Sequence, residues 1–135
     1  MTLRYLLDTN IVSHAMRMPT GPAGSRITIA GPDSVAISVI VLGELLFGFA
    51  KNPSANLKLR LDGLLERILV VGLDQRVSAY YGDARATLER RGEPIGQNDL
   101  WIAAHTLALD VTLVTDNMVE FRRVEGLRVE NWLRS

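Results

Sequence analysis

Cysteine is absent from the 135 residues. Its absence excludes disulfides, thiolate zinc sites, iron–sulfur clusters and a cysteine nucleophile, and it fits a reducing compartment. Lysine is nearly absent: Lys51 and Lys58 are the only two, so thirteen of the fifteen cations are arginine. Arginine is the better bidentate phosphate ligand, although high-GC coding favours it as well and is the simpler explanation. Net charge is missing too, with 15 Lys+Arg against 15 Asp+Glu. That balance excludes a uniformly basic nucleic-acid-coating protein while leaving room for local segregation of charge. Long apolar runs are also lacking. Tyr5-Leu6-Leu7 meets a carboxylate at Asp8, whereas a secretory signal needs an apolar stretch of roughly 7–15 residues. The stretch from Val35 to Phe49 is interrupted by Ser38 and Glu44 and falls short of the roughly 18 residues that span a bilayer. The expectation is a soluble cytoplasmic protein with no membrane contact. The length suits one compact domain over residues 1–135, able to bury roughly two-thirds of its unfolded surface without staples.

What is present is a chain of short apolar runs separated by helical spacing. Leu3–Leu7 predicts a strand, Asp8-Thr9-Asn10 a polar turn, and Ile11, Ala15 and Met18 a helix. Residues 19–33 hold three of the five prolines and three glycines, which predicts a surface loop with at most a helical turn around Arg26–Ile29. Val35–Ser38 reads as a second strand, and Ser38 as the cap of a helix with apolar positions at Ile40, Val41, Leu45, Leu46 and Phe49. A helix over Ala55–Arg67, a strand over Ile68–Val71 and a long helix from Asp74 to Arg91, closed by Gly92, follow. Glu93–Gln97 predicts a loop, Asn98 the cap of a helix over Asp99–Leu109, and Val111–Val114 a fourth strand ending at Thr115-Asp116-Asn117. A helical turn over Met118–Phe121 and a strand near Leu127–Val129 complete the chain. Short apolar strands alternating with helices imply a three-layer α/β/α fold around a mostly parallel sheet of about five strands. Ligands of such sheets bind beyond the carboxyl ends of the strands.

Carboxylates stand at those ends. Asp8 closes the first strand, Asp116 the fourth, Glu44 lies six residues after the second, and Asp99 opens a helix expected near the same rim. Each has an ordinary reading. Asp8 or Thr9 can cap a helix, Asp99 can complement a helix dipole for about 0.3–1 kcal/mol, and Asp116-Asn117 is common turn chemistry. Glu44 is harder to dismiss, because Val39-Ile-Val-Leu-Gly-Glu-Leu-Leu-Phe47 is otherwise apolar and a buried lone carboxylate costs several kcal/mol, on the order of 5, unless paired or metal-bound. Together the four say more than any one. Clustered carboxylates repel one another, and a hard divalent cation such as Mg²⁺ or Mn²⁺ removes that penalty. The chemistry then accessible is attack of metal-activated water on a phosphodiester, with one ion or with two about 3.5–4 Å apart. No P-loop and no Gly-x-Gly-x-x-Gly follows a strand. The two histidines, His14 and His105, read as structural or surface residues; His105 lies six residues beyond Asp99, about 240° round the helix.

These blocks resemble the PIN-domain family, and within it the VapC-type ribonuclease toxins of bacterial toxin–antitoxin pairs. The resemblance rests on Leu6-Leu-Asp-Thr-Asn10, Ile37-Ser38 with Leu42-Gly-Glu-Leu-Leu-Phe-Gly48, Ile95-Gly-Gln-Asn-Asp-Leu-Trp-Ile-Ala-Ala-His105, Leu113-Val-Thr-Asp-Asn117 and Glu120–Trp132. The blocks run in family order over nearly the whole chain; singly weak, they are specific in sequence. The resemblance implies metal-binding acids at Asp8, Glu44 and Asp99, a fourth acid at Asp116, and supporting roles for Thr9, Asn10, Ser38, Thr115, Asn117 and Glu120. The fourth position is the least uniform in the family, so Glu120 is a second candidate for it. The resemblance also implies cleavage of RNA, a tRNA or ribosomal RNA loop, with inhibition of translation, and Mg²⁺ as cofactor with Mn²⁺ as substitute. Its partners would be a cognate antitoxin laid across the site, a second copy in a homodimer, and operator DNA reached only through the antitoxin. Apolar side chains on the helix pair over residues 39–67, notably Leu46, Phe47 and Phe49, serve core packing first and an apolar partner groove second. An arginine group (Arg85, Arg90, Arg91, Arg122, Arg123) serves as a solvated face or as an RNA contact.

Three other readings stay open at this point. A phosphoryl-accepting receiver-type domain shares the α/β pattern but wants a late-strand lysine, and none follows Lys58. A haloacid-dehalogenase-like phosphatase wants an aspartate where Asn10 stands. A non-catalytic domain of the same fold would have degenerate acids, whereas all four positions are acidic here.

Overall fold

A computed structural model describes residues 2–134. Five short strands, β1 (Tyr5–Leu7), β2 (Val35–Ser38), β3 (Leu69–Val71), β4 (Thr112–Val114) and β5 (Arg128–Glu130), form one sheet in the order β3-β2-β1-β4-β5. Every pairing is parallel, with Leu6 opposite Ala36 and Leu113, and Leu113 opposite Val129. Because all strands run one way, all their carboxyl ends meet one edge. Seven helices connect and cover them: α1 (Thr9–Arg17), α2 (Pro22–Ala30), α3 (Val39–Lys51), α4 (Ala55–Leu65), α5 (Gln75–Arg90), α6 (Gln97–Leu109) and α7 (Met118–Phe121). The three-layer α/β/α arrangement with a parallel sheet is the one the strand–helix alternation predicts. Among the described residues no helix is long and apolar enough to cross a membrane.

The central strands are apolar on both faces because both faces are covered. Leu7, Val35, Ile37 and Leu113 join a large core with Ile11 and Val12 of α1, Val41 and Leu45 of α3, and Leu100 and Ile102 of α6. Leu6 and Ala36 point the other way, against Val111. The pleat therefore aims alternate side chains to opposite layers and leaves Asp8, the next residue, at the rim.

Residues 19–33 differ from the sequence expectation. They contain the full helix α2, not a loop with one turn. The residues that read as breakers sit at its ends. Pro22 occupies the first turn, where its fixed φ suits a helix and its missing N–H costs nothing, and Gly31 ends it at φ 91°. Gly24 allows the close approach to the preceding turn, since a Cβ there would stand 2.1 Å from the Pro19 carbonyl oxygen. A second difference concerns α6, which begins at Gln97 after Gly96, so Asn98 lies inside the first turn and does not cap it. The Gly96 N–H is held instead by the Glu120 carboxylate at 3.2 Å. Gly92 at φ 68° and the Ser38 cap of α3 (Ile40 N–H to Oγ, 3.1 Å) match their expected roles.

Candidate functional site

Asp8 is the anchor. It follows β1, caps α1, and is 6% exposed. Its Oδ1 accepts the Thr9 N–H and its Oδ2 the Thr115 hydroxyl, both at 2.8 Å. Thr115 is fully buried just after β4 and in turn accepts the Asn117 N–H at 3.0 Å. Burial pushes the Asp8 carboxyl above the usual carboxylate range; the two donors work against that push, and the charges of Glu44 and Glu120 add to it.

Three further acids gather around it. Glu44 projects from α3 and accepts the Thr9 hydroxyl at 2.8 Å. Asp99 sits in the first turn of α6, half-buried, and its carboxyl is pushed up to about 7, first by burial and then by the charges of Asp8, Glu120 and Glu44. Glu120 on α7 is tethered twice, to the Gly96 N–H at 3.2 Å and to Asn117 Nδ2 at 2.6 Å. The side chains come from α3, α6, α7 and the β1–α1 junction, and they converge because each segment starts at the same sheet edge.

Asp116 stands apart. It is exposed, its Oδ1 accepts from Asn131 Nδ2 at 2.8 Å, and Arg134 Nε lies 3.6 Å away. Its main-chain N–H reaches Asn10 Oδ1 at 3.5 Å. The acid that faces Asp99 from beyond β4 is thus Glu120. Sequence position placed Asp116 at the strand end correctly, but the strand end turns its carboxylate toward the C-terminal segment.

Asp8, Glu44 and Asp99 line an open cleft of about 580 Å³ together with Thr9, Asn10, Ser13, His14, Arg17, Asn117 and Leu133. Ser13, His14 and Arg17 were not singled out as site residues from sequence, yet their spacing from Asn10, three, four and seven residues on, is a legible signal for one helix face. Ser38 and His105 lie beneath the rim, both buried, joined by a 2.9 Å hydrogen bond between Oγ and Nδ1. Burial holds the His105 imidazole below its ordinary range, so it is a neutral core residue. Four of the five arginines in that group are occupied locally: Arg85 with Tyr81 and Glu89, Arg90 with Thr87, Arg91 with Glu125, and Arg123 with the Pro94 carbonyl. None of that group lines the cleft. Leu46 and Phe47 of α3 are exposed, whereas Phe49 packs against the core.

The donor set fits a hard divalent cation in its chemistry: carboxylate oxygens only, with neutral hydroxyl and amide oxygens beside them, and mutual repulsion that a cation would relieve. Asp99 carries the sign of that repulsion. Among the described residues no three Asp, Glu or His side chains are already gathered into a cation-holding group, and Thr9 and Asn117 each hold one oxygen of Glu44 and Glu120.

Known proteins resemble the chain over nearly its whole length. A family model described as the PIN domain matches residues 5–127. Ribonuclease VapC2 of Rickettsia felis is 39% identical over 130 residues, covering 95% of this chain and 97% of that protein. The tRNA(fMet)-specific endonuclease VapC of Shigella flexneri is 35% identical over 132 residues, covering 96% of this chain and 98% of that protein. The crystal structure of VapBC2 from Rickettsia felis bound to a DNA fragment from their promoter superposes with a TM-score of 0.88 at 35% identity, covering 96% of this chain and 99% of that chain.

Proposed function

The chain belongs to the PIN-domain family, and from that premise we propose that residues 1–135 form one ribonuclease domain of a toxin–antitoxin pair, a divalent-metal-dependent endoribonuclease that blocks translation. The observation that carries the reading is the gathering of Asp8, Glu44, Asp99 and Glu120 at one sheet edge, with Asp99 pushed up to about 7 by burial and by its acidic neighbours. Mg²⁺, or Mn²⁺ in its place, would be held by Asp8 and Asp99 with Glu44 and Glu120 close by. Bound there, the ion lowers the pKa of a water and offsets phosphate charge.

The chain's own residues do the rest. Thr115 and the Thr9 N–H fix both oxygens of Asp8, so its orientation is set before substrate arrives. The Thr9 hydroxyl steers Glu44, and Asn117 steers Glu120 while tying α7 to the start of α6. Neither histidine hydrogen-bonds to these acids among the described residues, so no imidazole base enters the reading. The substrate class is RNA, a tRNA by analogy with the relative named for tRNA(fMet). A cognate antitoxin and a second copy of the chain are the protein partners, and operator DNA is met through the antitoxin, as the promoter-bound complex of the relative suggests.

The test is brief expression of the chain followed by mapping of new RNA ends, with purified, antitoxin-free protein assayed on the mapped RNA. We expect cleavage that stops with chelator and with Asp8→Asn or Asp99→Asn. Protein that binds no divalent ion, with both variants as toxic as the parent, would overturn the reading and leave a non-catalytic domain of the same fold.

A further inference from the structure

The helix α1 has two faces of opposite character. Ile11, Val12, Ala15 and Met16 are buried in the core. Asn10, Ser13, His14 and Arg17 follow the i, i+3, i+4, i+7 pattern, and all four line the cleft. An amide, a hydroxyl, an imidazole and a guanidinium therefore run in a row away from Asp8, over about 10 Å of helix. The near end abuts the acids and the far end is a cation.

Two observations bear on the row: how its histidine is seated, and that its arginine lacks a charged partner. Among the described residues, His14 Nδ1 is the one buried side-chain nitrogen or oxygen without a hydrogen bond. The ring is wedged beside Gly21, where a Cβ would stand 3.2 Å from its Cε1, so a side chain at residue 21 would displace it. With Nδ1 shut in, Nε2 is the ring nitrogen left for a ligand. Among the described residues Arg17 is the only Lys or Arg lining the cleft. Among the described residues it has no carboxylate within ion-pairing distance. Among the described residues its guanidinium makes one hydrogen bond, 3.5 Å from Nη1 to the Ser13 carbonyl of its own helix. The other arginines near α1 and α5 are held by local carbonyls, hydroxyls or acids; Arg60, for example, donates to the Met16 and Arg17 carbonyls.

We propose that this face of α1 is the track for the RNA strand next to the scissile phosphate, with Arg17 gripping a flanking phosphate and His14 Nε2 bonding the sugar or base between. The assignment rests on the ribonuclease reading above. A polyanion fits better than a peptide here. A strand whose scissile phosphate lies at the acids must send its next phosphates along the cleft, and a free guanidinium at the far end meets that repeating charge. Every side chain of the row can bond a phosphate, a 2′-hydroxyl or a base edge.

The test uses the full chain carrying Asp99→Asn, so that RNA survives, and 3′-fluorescein-labelled mixed cellular tRNA as the probe, titrated at several salt concentrations in Mg²⁺ buffer. Adding Arg17→Ala should weaken binding about five- to tenfold and lower the slope of log K against log salt by about 1. Arg17→Lys should restore the slope while recovering only part of the affinity. His14→Ala should weaken binding about threefold with the slope unchanged. Arg90→Ala should change neither. Melting temperatures of all variants, measured alongside, separate misfolding from lost contact. If Arg17→Ala keeps the parent affinity and slope, the proposal is wrong, and loss of a co-expressed antitoxin from that variant would assign the face to a protein partner. If the slope moves instead with Arg90→Ala, the strand runs over α5 and the proposal is again wrong. If the Asp99→Asn chain binds no tRNA at all, the ribonuclease reading itself falls.

Discussion

At residue scale, the acids of the cleft are unequal because their surroundings differ. Asp99 is held up to about 7 against a reference near 3.8. A carboxyl whose folded pKa is raised costs stability above that pKa, and the cost is relieved as pH falls through 7 toward 4. Asp99→Asn should therefore stabilise the metal-free protein at pH 8, by about 1–2 kcal/mol once solvent screening at a half-exposed group is allowed for. The gain should fade by pH 5. Thermal melts in chelator at the two pH values check this, and an equal gain at both would show that repulsion is not the cause. Among the acids beyond β4, Glu120 faces Asp99 while Asp116 is engaged by Asn131 and Arg134. Glu120→Gln should then weaken Mn²⁺ binding at least tenfold, and Asp116→Asn less than threefold, by calorimetric titration. The sequence carried Asp8, Glu44 and Asp99 legibly, since each is a carboxylate set beside an apolar run. It could not choose between Asp116 and Glu120, because that choice depends on where a C-terminal amide and guanidinium come to rest.

Scale up to elements, and the site depends on how helix starts are held. The Ser38 Oγ caps α3 through the Ile40 N–H and bonds His105 Nδ1 of α6 in the same buried spot. The helices carrying Glu44 and Asp99 are thereby pinned to each other at the sheet edge. Ser38→Ala removes a cap and leaves a buried imidazole nitrogen unpaired, which should cost about 2–3 kcal/mol by urea unfolding. Ser38→Thr, which keeps the hydroxyl, should cost less; equal losses in the two variants would mean that packing, not the bond, is what matters. Element types were readable wherever apolar spacing was regular, as in α3, α5 and β2. Residues 19–33 were misread because proline and glycine were counted as breakers, when their effect depends on position: Pro22 starts α2 and Gly31 ends it. The start of α6 was misplaced for a different reason, the N–H of Gly96 just before it being anchored by Glu120 from 24 residues away, a bond that no local pattern encodes.

For the whole molecule, the formal charge of zero is a sum over regions of opposite sign. Four acids crowd one rim, while arginines are spread over the rest of the surface, most of them tied to local partners. In the metal-free fold the acidic rim is a standing source of destabilisation, because the native sheet edge forces together charges that the unfolded chain keeps apart. An ion that binds the native rim and not the unfolded chain adds stability by mass action, about 2.7 kcal/mol at a hundredfold excess over its Kd. For a chain of this size that is a rise in Tm on the order of 10 °C. We therefore expect Mn²⁺ to raise the melting temperature in a saturable, chelator-reversible way, and Asp8→Asn or Asp99→Asn to abolish most of that rise. The two single variants should not add up in the double variant, since either one dismantles the same site. Monovalent salt at matched ionic strength separates specific binding from screening. If NaCl reproduces the full rise, the rim is a screened acidic patch, and the divalent-ion site proposed here does not exist.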